Sequence, residues 1–134
     1  MSTTIRPEIS KKKPYYISKH RYYELKHFCL QYPEWEEEYR KLRDISISRK
    51  GSSGNTNWSD PTGNLASRMA DLTYKMDLVR DTAISVDPVI GEFIFEAVTK
   101  DKSYTYLRTM KNIPCGKNVY YELYRIFFNA LSRR

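Results

Sequence analysis

The stretch Ser103-Tyr104-Thr105-Tyr106-Leu107-Arg108-Thr109-Met110, then Lys111-Asn112-Ile113-Pro114, then Cys115-Gly116-Lys117-Asn118-Val119-Tyr120-Tyr121, decides how the chain is read. Serine favours the residue before a helix because its hydroxyl accepts from an early backbone N–H. With Tyr104, Leu107 and Met110 at three-residue spacing, Ser103 predicts a short helix, Tyr104 to Met110, with those three facing inward. Lys111 to Pro114 then makes a turn of about four residues, since proline cannot continue a helix and asparagine favours turns. A final helix follows from about Gly116 to Ser132, with Val119, Leu123, Ile126, Phe127, Ala130 and Leu131 as its apolar stripe. That choice of stripe leaves Lys117, Asn118, Tyr121, Arg125 and Tyr124 for the other face.

The residues upstream continue the helical pattern. Asp87-Pro88 is a cap followed by proline, and it opens a helix carrying Val89, Ile90, Phe93, Ile94 and Val98 that Lys100-Asp101-Lys102 ends. Asp60-Pro61 repeats the device ahead of a long helix whose stripe is Leu65, Met69, Leu72, Met76, Val79, Ala83 and Val86, residues assigned to packing. Residues 48–59 are rich in Gly, Ser and Asn and read as a flexible loop, with Trp58 placed to pin it. Before it, Ser18 caps a helix with Tyr22, Leu25, Phe28 and Cys29 on one face, stopped at Tyr32-Pro33, and a second helix starts near Glu34. Residues 1–17, with Lys11-Lys12-Lys13-Pro14 and no apolar period, read as a flexible basic arm. The expected fold is therefore all-α: arm 1–17, helical pair 18–47, loop 48–59, and 60–134 as a long helix plus a carboxy-terminal helix-turn-helix, in one compact domain.

Composition narrows the function classes. Cys29 and Cys115, far apart and joined only by His20 and His27, supply neither a disulfide framework nor close zinc-ligand pairs, so the chain reads as cytoplasmic and without a cofactor. No apolar run is long enough to span a bilayer, and no membrane partner is expected. There is no Gly-rich phosphate loop, nucleophile elbow or His-Glu-x-x-His pattern, so an enzyme is not expected. The net charge of +7 is spread unevenly: residues 1–50 carry 12 Lys/Arg against 7 Asp/Glu, residues 51–100 carry 4 against 7, and residues 101–134 carry 7 against 2. Two basic ends flank an acidic middle, and a basic field concentrates polyanions, so nucleic acid is the first partner expected.

A short helix, a turn and a longer helix with polar and basic residues in its first turns is the arrangement that sets a recognition helix in the major groove of double-stranded DNA. In that frame Lys117 reaches guanine acceptors or phosphates, Asn118 pairs with adenine, and Tyr121 and Arg125 hold phosphates.

The wording of the carboxy-terminal half resembles a family. Asp60-Pro61-Thr62-Gly63-Asn64-Leu65-Ala66-Ser67-Arg68, Ser103-Tyr104-Thr105-Tyr106-Leu107, Ile113-Pro114-Cys115-Gly116-Lys117 and Tyr120-Tyr121-Glu122-Leu123-Tyr124-Arg125-Ile126-Phe127-Phe128 look like the phage late-gene activators of the RinA and ArpU type. The resemblance covers roughly residues 58–134. Those activators are similar in turn to the promoter-reading helix-turn-helix of bacterial sigma factors, which implies activation of phage or prophage transcription. The family's last helix carries several arginines where this chain has Tyr124-Arg125-Ile126, which shifts weight toward Lys102, Arg108, Lys111 and the basic arm.

Two further readings stand beside this one. Twelve tyrosines suit a protein that docks on a host machine such as RNA polymerase or a nuclease, while for the cluster Tyr15, Tyr16, Tyr22 and Tyr23 packing between helices is the first reading and docking the second. Cys115, near the start of the last helix, reads first as a small residue that fits the turn; its place beside Lys117, where dipole and cation can lower a thiol's pKa, leaves a redox role as the second reading. The pattern leaves the oligomeric state open, since no long heptad run is present.

Overall fold

The chain's structure, a computed structural model, describes residues 14–51 and 61–134, and among them every regular element is an α-helix. In chain order these are α1 (Lys19–Leu30), α2 (Tyr32–Gly51), α3 (Pro61–Val86), α4 (Ile90–Lys100), α5 (Tyr104–Met110) and α6 (Lys117–Ser132).

Local chemistry sets most of these limits. Ser18 caps α1 by accepting from the Arg21 N–H at 3.3 Å, and the Asp87 carboxylate accepts from Val89 and Ile90 at 2.8 and 2.7 Å ahead of α4. Asp101 closes α4 in the left-handed conformation at φ 55°, a place that glycine usually holds, and lets the Lys102 N–H return to the Ala97 carbonyl at 3.0 Å. Tyr32-Pro33 does not stop the pattern for long. Gln31 alone separates α1 from α2, and Pro33 sits in the first turn of α2, where its missing N–H would have had no helical partner. α2 also runs on to Gly51, so residues 48–51 of the flexible loop read at 48–59 are helical. The remainder of that loop, the pinning Trp58, the Asp60 cap and the Lys11–Lys13 cluster lie outside the described residues.

α3 is the spine, packing on α2 along its first half and on α4 and α6 along its second, while α1 lies across α4 and α6. Leu65, Leu72, Val79 and Ala83 are buried, with Met69, Met76 and Val86 packed beside them, so the long stripe is core. Thr82 and Thr99 are buried polar residues whose hydroxyls donate to the carbonyls of Leu78 and Phe95 at 2.6 and 2.7 Å, which avoids the cost of an unpaired group. α4 meets α3 backbone to backbone at Gly91, where a Cβ would stand 2.3 Å from the Ala83 carbonyl oxygen.

The α2–α3 hairpin holds itself together at its outer end. Arg68 pairs with Glu38, Leu42 and Leu65 are buried, and the Lys75 ammonium lies 5.7 Å from the Trp35 ring centre. Nearer the body, Tyr32 meets Phe95 edge to face at 4.9 Å.

Candidate nucleic-acid interface

α5 and α6 are tied together through tyrosine. Ser103 caps α5 by accepting from the Tyr106 N–H at 3.2 Å, and the Tyr104 hydroxyl donates across the connection to the Cys115 carbonyl at 2.8 Å. The Tyr104 ring stacks 5.4 Å from Tyr120 and 6.2 Å from Tyr121. Asn112 adopts φ 53°, which folds the chain back so that the Ile113 N–H reaches the Leu107 carbonyl at 3.1 Å while both side chains are buried. The connection thus runs from Lys111 through Gly116, longer than the expected turn of about four residues, and Met110 is exposed rather than inward.

The seven sequence-predicted site residues separate into groups. Arg108, Lys111, Lys117 and Asn118 are exposed and gather around the α5–α6 connection; Lys111 is 3.7 Å from Glu96, a surface pair of small energetic weight. Lys102 is half-buried at the α4–α5 junction, its ammonium 4.7 Å from the Tyr106 ring centre. Tyr121 and Arg125 depart from expectation. Tyr121 is half-buried in the stack with Tyr104 and Tyr120, with the Lys117 ammonium 5.9 Å from its ring centre. The Arg125 side chain is only 19 % exposed, its guanidinium stands 4.0 Å from Glu122, and its Nε is buried with no hydrogen-bond partner.

The cause is a rotation of α6 relative to the stripe expected. Tyr120, Phe127, Phe128 and Leu131 are buried, and Tyr124 joins them with its hydroxyl 3.1 Å from that of Tyr22; Val119, expected inward, is 52 % exposed. From Tyr120 to Ser132 no residue is exposed. α1 and α3 cover part of the helix, and the chain's own residues 14–17, expected to belong to a flexible arm, cover more. The Tyr15 hydroxyl donates to Glu122 Oε2 at 2.6 Å, Asn129 donates to the Tyr16 carbonyl at 3.3 Å, and Ile17 is buried. A signal for this was present: Ile17 immediately precedes the Ser18 cap and Tyr22 follows four residues after it, the two positions of a hydrophobic staple, and both are buried.

Tyrosine chemistry follows from that burial. Loss of solvent holds Tyr120 and Tyr124 neutral well above the ordinary phenol range, helped by neighbouring tyrosines, and the Tyr22–Tyr124 hydrogen bond adds to the effect. Tyr121 is raised less, by burial and then by Tyr104, with Arg125 pulling the other way. Tyr22 and Tyr23 stack at 5.1 Å and Tyr15 and Tyr16 lie against α6, so the tyrosine cluster offered for docking is spent on packing. Cys115 is not activated beside Lys117: burial and then the Asp87 carboxylate raise its pKa.

The other candidate chemistry finds little footing. His20 and His27 are exposed, and among the described residues no group of three or more His, Cys, Asp or Glu is placed to hold a metal ion. A cleft bounded by Lys26, Lys102, Tyr104, Tyr120, Tyr121 and Tyr124 has about 20 Å³ of free volume, room for a water and too little for a nucleotide. Among the described residues no helix is long and apolar enough to cross a membrane. Comparison of the chain with protein-family models, curated proteins and solved structures finds no match.

Proposed function

We propose that the protein binds double-stranded DNA in a sequence-specific way and regulates transcription, most directly as an activator of phage or prophage genes. The observation that carries this is the exposed group Arg108, Lys111, Lys117 and Asn118 around the α5–α6 connection, in a chain of net charge +7. Recognition helices commonly contact base edges through their first residues, so the covered remainder of α6 is compatible with an end-on approach. Lys117 then serves a guanine or a phosphate, Asn118 an adenine, and the exposed Val119 a thymine methyl, with Arg108 and Lys111 on flanking phosphates. The likeness of residues 58–134 to the RinA and ArpU activators supports activation over repression and, through sigma factors, a meeting with host RNA polymerase at the promoter.

The test is a gel-shift titration on duplex DNA flanking the protein's own gene, against scrambled duplex of equal length, repeated across salt concentrations. The expected result is preference for the native flank, steep loss of affinity with salt, and relaxed preference in Asn118→Ala. No complex with either duplex at low ionic strength would refute the reading.

A further inference from the structure

α6 carries a second polar stripe, and residues 15 and 16 of the chain reach two of its members, Glu122 and Asn129. Asn118, Glu122, Arg125 and Asn129 follow one another at four-, three- and four-residue spacing, on the side of the helix away from Tyr120, Tyr124, Phe127 and Leu131. A helix entering the major groove would present this side, and its residue types are those that address base edges: amides suit adenine, a carboxylate accepts from cytosine, and a guanidinium serves guanine or phosphate. In the closed structure Asn118 is exposed and the other three are engaged within the chain. Glu122 accepts from Tyr15, Asn129 donates to the Tyr16 carbonyl, and Arg125 keeps a buried Nε without a partner.

We propose that residues 15 and 16 form a removable strap over Glu122 and Asn129, and that duplex DNA takes the strap's place there, extending its contacts from the exposed Asn118 along Glu122, Arg125 and Asn129. The inference rests on the DNA-binding reading above and extends it from the first turn of α6 to the length of the helix. Opening is local. Ile17 and Tyr22 occupy the staple positions of α1 and stay with the core, so only the residues before Ile17 have to leave. The exchange is favoured from the helix side, because an unpaired buried guanidinium N–H is costly and DNA supplies acceptors for it. Affinity measured on the closed protein is therefore reduced by the fraction of molecules whose strap is open, and loosening the strap raises it.

The test uses the full chain, so that Lys11–Lys13 and every residue of the stripe are retained. Tyr15→Ala and Tyr15→Phe are compared with wild type by fluorescence anisotropy on the native-flank duplex, after thermal melts establish that both are folded. Tyr15→Phe removes the bond to Glu122 while keeping the ring, and serves if the alanine variant is unstable. About tenfold tighter binding by the variants is expected, the worth of one hydrogen bond to a charged group. The Asn129 side-chain amide resonance, whose N–H donates to the Tyr16 carbonyl, should also shift in wild type when duplex is added. If wild type binds and the variants bind equally or more weakly, or if the Asn129 side-chain amide resonance is unchanged in the complex, the strap is a fixed part of the fold and the proposal is overturned while DNA binding stands. If neither wild type nor variants bind, the DNA reading fails and takes the strap proposal with it; binding by the variants alone supports both.

Discussion

α3 and α6 both line the core, yet they meet solvent in opposite ways. α3 buries Leu65, Leu72, Val79 and Ala83 and turns Arg68, Asp71, Thr73, Tyr74, Asp77, Arg80 and Asp81 outward, a two-sided helix whose outer face is polar and of mixed charge. α6 has no exposed residue after Val119, because α1, α3 and residues 14–17 enclose it. Both helices have a polar side; that of α3 faces solvent, whereas on α6 Glu122 and Asn129 are met by Tyr15 and Tyr16. The contrast bears on function: the enclosed helix offers its first turn freely and the rest only when something moves.

The largest expected effect falls on the enclosed helix. Phe128→Ala, at a fully buried ring packed on Tyr22, Tyr124 and Phe127, should cost about 3–5 kcal/mol in denaturant unfolding. A cost under about 1 kcal/mol would mean that α6 is peripheral after all, given typical core truncations. Next comes the surface where α4 presses on the spine. Gly91→Ala sets a Cβ against the Ala83 backbone, which cannot swing aside as a side chain does, and should cost about 1–3 kcal/mol by the usual penalty for overpacking.

The buried phenols sharpen the comparison through pH. Folded Tyr120 and Tyr124 keep their protons above the ordinary value of 10.0, while the unfolded chain releases them near it. Stability is therefore full below that value and falls as pH rises through and beyond it. Tyr124→Phe should cost about 1 kcal/mol at neutral pH, through loss of the Tyr22 hydrogen bond, and should flatten the alkaline decline measured by urea midpoints. The smallest effect belongs to the open helix: Tyr74→Ala, 65 % exposed on α3, should change stability by less than about 0.5 kcal/mol.

The same contrast explains what was legible in the sequence. The caps Ser18, Asp87 and Ser103 act over two or three residues, and each performs the hydrogen bond its position implied. The α3 stripe was legible because aliphatic and polar residues alternate cleanly at helical spacing. The inward face of α6 was not, because Tyr120, Tyr121 and Tyr124 count as polar by their hydroxyls and as apolar by their rings, and the rings decided. For the same reason Lys117 and Asn118 were placed correctly as exposed, while Tyr121 and Arg125 were not. The strap was hidden because its partners, Glu122 and Asn129, lie more than 100 residues away along the chain, beyond the reach of any local pattern. The join of α1 to α2 was missed because proline ends a helix from within and tolerates its first turn.

The most direct test of DNA binding through the α5–α6 end is a titration of isotope-labelled protein with native-flank duplex, read as amide chemical-shift changes along the chain. The account predicts the largest changes at Arg108, Lys111, Lys117 and Asn118, extending to residues 15 and 16 as the strap leaves, with the α2–α3 hairpin unmoved. Changes confined to α2 and α3, or none at low salt, would contradict it.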